Sequence, residues 1–255
     1  MSVVGIIPAR LQSTRLPQKL LRNDTGKPLI QYAWEAARKC NLLDRVIVAT
    51  DSQEIAQTVR GFGGEAELTG EHPSGTDRIA EVVRRCCSDA EIVVNLQGDE
   101  PEMNPDDIAQ LVQLLKDHPQ DEMATLAVPF QSAKDVQNPN CVKVVCAEDG
   151  RAFYFSRSII PCSRDREPEQ FFADSESGSD EIPWLLHLGI YAFRREFLMR
   201  LTQLPPSRLE QLEKLEQLRA LEAGATIRVA VVQQAAVGID TPEDYRLFVE
   251  RQRAA

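Results

Sequence analysis

Short, nearly unbroken apolar runs alternate along the first half of the chain with stretches whose apolar residues recur every three or four positions. The runs VVGIIPA (3–9), RVIVATD (45–51), AEIVVNLQGD (90–99) and MATLAVPF (123–130) read as strands. Their continuity predicts burial on both faces. Between them, PLIQYAWEAARKC (28–40), SQEIAQTVRGF (52–62), DRIAEVVRRCC (77–87) and PDDIAQLVQLLKD (105–117) read as helices. The start and stop signals agree: Asp51 stands three residues before Glu54, Asn104 precedes Pro105, and Gly61 closes a last turn. Alternation of this kind predicts an α/β fold of Rossmann-like form: three layers with a mostly parallel central sheet, helices covering both faces.

The second half changes character and predicts an additional strand-rich region. VKVVCAEDGRAFYFSR (142–157) reads as two strands around a turn at Glu148, Asp149 and Gly150. LLHLGIYAF (185–193) alternates as a strand with one open face does. Ser207 and Glu210 form a capping-box pair opening a helix that should run to about Ala223, before Gly224. TIRVAVVQQ is a late strand, and TPEDYRLFVERQ a final helix capped by Thr241. Residues 163–182 are polar and weakly patterned, longer than an ordinary connection, and read as a loop or an active-site cover. No linker interrupts the chain, so 1–255 is expected to form a single domain, with 140–205 as an elaboration of it.

Composition narrows the partners. Apolar residues make up 43% and charged residues 27%, as in an ordinary globular protein, and the net charge of -10 argues against a nucleic-acid backbone as partner. No apolar run reaches membrane-spanning length. The start MSVVGIIPAR lacks the charged segment and cleavage site of a signal peptide. The six cysteines show neither CxxC nor zinc spacing, so free thiols and a cytoplasmic location are expected. One segment departs from the acidic average. Between Arg10 and Lys27 five basic residues face one acid, Asp24, which suggests a small anionic ligand.

GFGGEA (61–66) spells a dinucleotide fingerprint, but it follows a helix and precedes a strand, the reverse of what that device needs. A Walker loop is absent as well. The cationic candidate is IIPARLQSTRLPQKLL (6–21), at the carboxyl edge of the first strand, where α/β sheets bind ligands. There Arg10, Arg15 and Lys19 can hold triphosphate oxygens through charge-assisted bonds, with Ser13 and Thr14 as neutral donors. Asp99, with Gln97, ends a predicted buried strand, and Asp240 precedes a helix that Thr241 already caps. Each aspartate reads either as a local cap or as a ligand of Mg²⁺, which favours carboxylates shared with phosphates. Ser74 in SGTDR (74–78) is suited to cap a helix. Glu100, Asp106 and Asp107 read as first-turn helix charges, and His72 and His118, each before proline, as loop residues.

A series of blocks in order, PARLQSTRLPQKLL, GKPLI, VATD, SGTDRIAE, VVNLQGDEP, NPNCVKVV, YFSRSIIP, HLGIYAF, LEQLRALEAG and GIDTPED, resembles the sugar-activating cytidylyltransferases. Within them it is most similar to the branch that charges 3-deoxy-manno-octulosonate (Kdo). Residues 163–182, WLLHLGIY and Cys162 depart from that pattern. The resemblance implies transfer of CMP from CTP to an acidic sugar for lipopolysaccharide assembly, by a Mg²⁺-dependent homodimer built on 140–205. It implies that Arg10, Arg15, Lys19, Asp99 and Asp240 carry catalysis, with the metal on Asp99 and Asp240. Pro8, Ala9, Arg10, Ser13, Lys19, Ser74, Gly75 and Gln97 are implied nucleotide contacts, and Arg15, Gln97, Arg157, His187, Tyr191, Glu216 and Gln217 sugar contacts. A sibling enzyme for 8-amino-Kdo or a sialic acid, or a non-catalytic nucleotide-binding protein, are the alternative readings.

Overall fold

The computed structural model describes residues 2–175 and 182–254. In chain order the strands are β1 (Ser2–Ala9), β2 (Arg45–Thr50), β3 (Glu65–Leu68), β4 (Ala90–Asn95), β5 (Met123–Pro129), β6 (Lys143–Cys146), β7 (Ala152–Ser156), β8 (Leu185–Arg194) and β9 (Ile227–Val231). The helices are α1 (Leu29–Arg38), α2 (Gln53–Gly61), α3 (Gly75–Cys86), α4 (Pro105–Asp117), α5 (Ala133–Gln137), α6 (Pro168–Ser175), α7 (Arg195–Leu201), α8 (Arg208–Glu213), α9 (Gln217–Glu222) and α10 (Pro242–Ala254). The chain divides into two compact units: Met1–Gln113 with Ile190–Thr202 and Ala236–Ala255, and Leu114–Gly189 with Gln203–Ala235. Among the described residues no helix is long and apolar enough to cross a membrane.

In the first unit β3, β2, β1 and β4 run parallel in that order, and the Ile190–Arg194 part of β8 joins β4 antiparallel, so the sheet is mixed. The fold is a Rossmann-like nucleotidyltransferase fold with an added strand-rich region. Strands β1, β2 and β4 are nearly continuously apolar because both faces are covered, whereas β3 (EAEL) buries only Ala66. A side chain on Gly75, at the start of α3, would meet Pro8 at 3.2 Å, while Gly98 packs against Ile7 and against Ile30 of α1. Pro8 and Ile7 alternate on β1, so α3 and α1 lie on opposite faces. Ile6, Ile7, Ile47, Val48 and Ile92 are fully buried in between; each such side chain contributes roughly 1.5–3 kcal/mol.

In the second unit β5 pairs parallel with β9, and β6 pairs antiparallel with both β7 and the start of β8. A buried ion pair ties β9 to the segment before β5: Arg228 Nε donates to Asp121 Oδ2 at 2.6 Å, with both side chains 9% exposed. Arg228→Met strands the Asp121 carboxylate away from water. It should cost about 3–5 kcal/mol, read as a fall in the urea midpoint by circular dichroism. An Arg228→Met midpoint equal to the parent's would contradict this.

Several expected boundaries shift for identifiable reasons. The strand drawn over 90–99 ends at Asn95, after which Leu96 N donates to Ile6 O at 2.9 Å and the chain leaves the ladder. Asp51 is not the cap of α2; Ser52 is, accepting from Ile55 N at 3.3 Å, and Asp51 instead pairs with Arg78. The helix expected from Ser207 to Ala223 is two. The capping box at Ser207 and Glu210 is present, but Lys214 takes left-handed backbone (φ 54°), and Arg219 bridges α9 to Glu210 of α8 at 2.5 Å. The stretch 163–182 contains α6, and its residues 176–181 lie outside the described residues. Helices α5 and α7 were not anticipated, although Ser132 and Asp135 form a readable cap for α5.

Candidate active site

The opening loop leaves β1 at Ala9 and turns back through Gln18, whose φ of 49° lies in the left-handed region. A non-glycine residue there costs about 1–2 kcal/mol. The turn opens a single 3₁₀ turn, Lys19–Leu21, and sends the Lys19 side chain inward to 11% exposure. There Lys19 Nζ donates to Asp99 Oδ2 at 2.6 Å and to Asp240 Oδ1 at 3.0 Å. Arg15 Nη2 holds the other Asp240 oxygen at 3.0 Å.

The two aspartates are 141 positions apart in sequence, and a backbone bond explains how they meet: Ile239 N donates to Asp99 O at 2.8 Å. Asp240 is free to turn toward Lys19 because Thr241 and Asp244 cap α10. Asp244 Oδ2 accepts from the amides of Asp240 and Thr241, and Asp244 N donates to Thr241 Oγ1. Negative charge concentrates here. Burial, reinforced by Asp99 and Asp240, pushes the Glu100 carboxyl up to about 7. Glu100 precedes α4 by five residues and is therefore not a first-turn helix charge, whereas Asp106 and Asp107 are.

A cavity of about 440 Å³ opens over this cluster. Its wall brings together Pro8, Ala9, Arg10, Ser13, Arg15, Lys19, Ser74, Gly75, Gln97, Asp99 and Asp240, the whole predicted nucleotide and metal set. The segment entering α3 also lines the cavity, through His72, Pro73, Ser74 and Gly75. Ser74 caps that helix, accepting from Asp77 N at 3.1 Å and donating to Asp77 Oδ2 at 2.8 Å. A side chain at Gly75 would press on Pro8 at 3.2 Å, so glycine gives this turn its close approach to β1. Among the wall residues outside the predicted set, two carry charge or a titratable ring. Arg78, 5% exposed, donates to Asp51 and Thr69 and ties α3 to the ends of β2 and β3. His72, read as a loop residue, lines the cavity with its Nε2 2.6 Å from Glu81. Both signals lay in the sequence, Arg78 as the last residue of SGTDR and His72 two residues before it.

The remaining predicted sugar residues sit in other surroundings. Tyr191 is opposite Asn95 in the β4–β8 register, its ring against Phe193. Arg157, His187, Glu216 and Gln217 belong to the second unit. The Arg157 guanidinium donates to the carbonyls of Glu213 (2.6 Å), Pro139 (3.0 Å) and Lys214 (3.4 Å), fastening two loops. Gln217 is buried, and its Nε2 has no partner among the described residues. His187 Nε2 lies 3.1 Å from Thr125 Oγ1, with the ring edge-on to Phe155, and burial pushes the imidazole down to about 3.

That shift has a definite sign. Below about 6.5 the unfolded chain protonates His187 while the folded protein resists until about 3. Stability should therefore fall as pH drops through this window, and His187→Gln should remove part of the fall. Urea midpoints at pH 7 and pH 5 check it; an identical pH slope in parent and variant would contradict it.

The profile of the family described as cytidylyltransferase matches residues 4–227. The 3-deoxy-manno-octulosonate cytidylyltransferase of Rhodopirellula baltica is 47% identical over 98% of each chain. That of Syntrophobacter fumaroxidans is 50% identical over 98% of this chain and 96% of its own. Among solved structures, CMP:2-keto-3-deoxy-manno-octonic acid synthetase complexed with CTP superposes with a TM-score of 0.90 at 40% identity, covering 100% of this chain and 99% of that one. The chain belongs to the cytidylyltransferase family.

Proposed function

We propose that this enzyme transfers CMP from CTP to the anomeric hydroxyl of Kdo, yielding CMP-Kdo and pyrophosphate for lipopolysaccharide biosynthesis. The observation that carries the reading is full-length similarity to Kdo cytidylyltransferases, together with the likeness to a synthetase solved with CTP. In this reading Arg10, Ser13, Arg15 and Lys19 hold the triphosphate, Ser74 and Gly75 lie against the pyrimidine beside Pro8 and Ala9, and Gln97 serves both substrates. Arg157, His187, Tyr191, Glu216 and Gln217 are the proposed sugar contacts, Arg157 for the carboxylate.

The reaction is an in-line displacement at the α-phosphorus, so the protein's task is positioning and charge stabilisation. Arg10, Arg15 and Lys19 neutralise the charge that grows on pyrophosphate as it leaves. Asp99 and Asp240 suit a magnesium ion: both offer hard oxygens, and both already converge on a single cation, the Lys19 ammonium. Among the described residues no cluster of three or more such ligands exists, so phosphate oxygens and water would complete the shell. Bound there, the ion supplies Lewis-acid polarisation of the phosphate and lowers the pKa of the attacking hydroxyl.

A homodimer built on the second half belongs to the same reading, supported by the exposed apolar side chains Phe153 and Val231 in the second unit. A cytoplasmic setting is supported by six free cysteines. Pyrophosphate release across four nucleoside triphosphates and a panel of acidic sugars tests the function. Turnover should require CTP and be fastest with Kdo. A faster reaction with 8-amino-Kdo or a sialic acid would replace the sugar, and no release with any pair would remove the activity.

A further inference from the structure

At the His72–Ser74 end of the cavity the Ser74 hydroxyl and part of the Arg78 guanidinium are already engaged. The Ser74 hydroxyl proton goes to Asp77 Oδ2, and Arg78 gives its N–H groups to Asp51 and Thr69. His72 has one ring nitrogen committed, Nε2, at 2.6 Å from Glu81 Oε2. Glu81 also accepts from Gly70 N and from Arg85. The hydrogen bond from His72 holds the Glu81 carboxyl below its usual range. As a carboxylate Glu81 can only accept, so Nε2 must carry the proton, and in the neutral ring Nδ1 is left as an acceptor. That nitrogen has no hydrogen-bond partner among the described residues, on a residue that lines the cavity.

Cytosine and uracil share the ring carbonyl at position 2 and differ at position 3, a bare acceptor nitrogen in cytosine and an N–H in uracil, and at position 4, where cytosine carries an amino donor and uracil a carbonyl acceptor. Backbone N–H groups at the start of α3 suit a carbonyl and serve both bases alike. Opposite position 4 a fixed acceptor separates them, because a site that pairs with a donor penalises an analogue that brings a second acceptor. We infer that His72, with its tautomer set by Glu81, reads the 4-amino group of the cytosine ring through Nδ1 and so selects CTP over UTP. The inference rests on the proposed function, since it needs a pyrimidine at this end of the cavity.

Two variants divide the imidazole between them. His72→Asn places a carbonyl oxygen near the position of Nδ1, whereas His72→Gln reaches toward Glu81 and gives up the Nδ1 position. Steady-state pyrophosphate release with CTP and with UTP, at saturating Kdo, should show His72→Gln losing about tenfold or more in the CTP/UTP ratio of kcat/KM, as for one lost discriminating bond. His72→Asn should keep the parental ratio to within about threefold, and both should leave the KM for Kdo unchanged. A His72→Gln ratio equal to that of the parent, or equal losses with both nucleotides in both variants, would overturn the inference. Failure of the parent enzyme with CTP and Kdo would instead count against the proposed function.

Discussion

Asp99→Asn should reduce pyrophosphate release from CTP and Kdo by about 10³-fold or more while the protein stays folded. The substitution keeps the side-chain shape and removes one of two carboxylates that converge on the same cation. The Asp99 side chain is one-third exposed, so the neutral amide can be solvated and the fold should tolerate it. What is lost is the paired negative charge that a divalent ion needs. Raising the magnesium concentration should recover part of the rate, because the defect lies in metal affinity as well as in chemistry. Asp240→Asn should behave alike. Near-parental turnover in both variants would remove the metal site.

Lys19→Met should lower kcat/KM for CTP by about 10²–10³-fold, with a different signature. Lys19 is the most deeply placed cation of the opening loop, and the left-handed turn at Gln18 serves to deliver it. Methionine fills the same space without charge. The Asp99 and Asp240 carboxylates are left facing one another, which should favour a divalent ion rather than weaken it. The variant should therefore keep its magnesium dependence while losing nucleotide affinity. Steady-state kinetics at several magnesium concentrations separate the two classes: a right-shifted magnesium requirement for the aspartate variants, a raised KM for CTP for Lys19→Met. Unchanged kinetics in Lys19→Met would make the basic loop a solvated surface feature.

The parallel layer was legible because its strands are buried on both faces and its helices are punctuated by local caps. The candidate site was legible for a different reason. Its residues sit in the loops that follow strands, where a charged side chain has no packing role that explains it: Arg10 directly follows β1, and Asp99 stands four residues past β4. What could not be read depends on tertiary partners. Asp51 has the spacing of a cap, yet a buried Arg78 claims it. Residues 207–223 keep a helical pattern, yet Lys214 breaks the helix, and Glu213 accepts there from Ser156 Oγ and Arg157 N. Glu100 looks like an ordinary first-turn acid until its burial beside two other carboxylates is known. Asp99 lies in the loop after β4 and Asp240 just before α10, and the bond from Ile239 N to Asp99 O that brings them together is invisible in the sequence.

Calorimetric titration of CTP into the protein, with and without magnesium, for the parent and for the Asp99→Asn/Asp240→Asn double variant, addresses the shared nucleotide and metal site most directly. Magnesium should tighten CTP binding markedly in the parent and have little effect in the double variant, whose basic loop still binds CTP weakly. The same gain from magnesium in both proteins would mean that the ion and the triphosphate meet somewhere other than between these two carboxylates and Lys19.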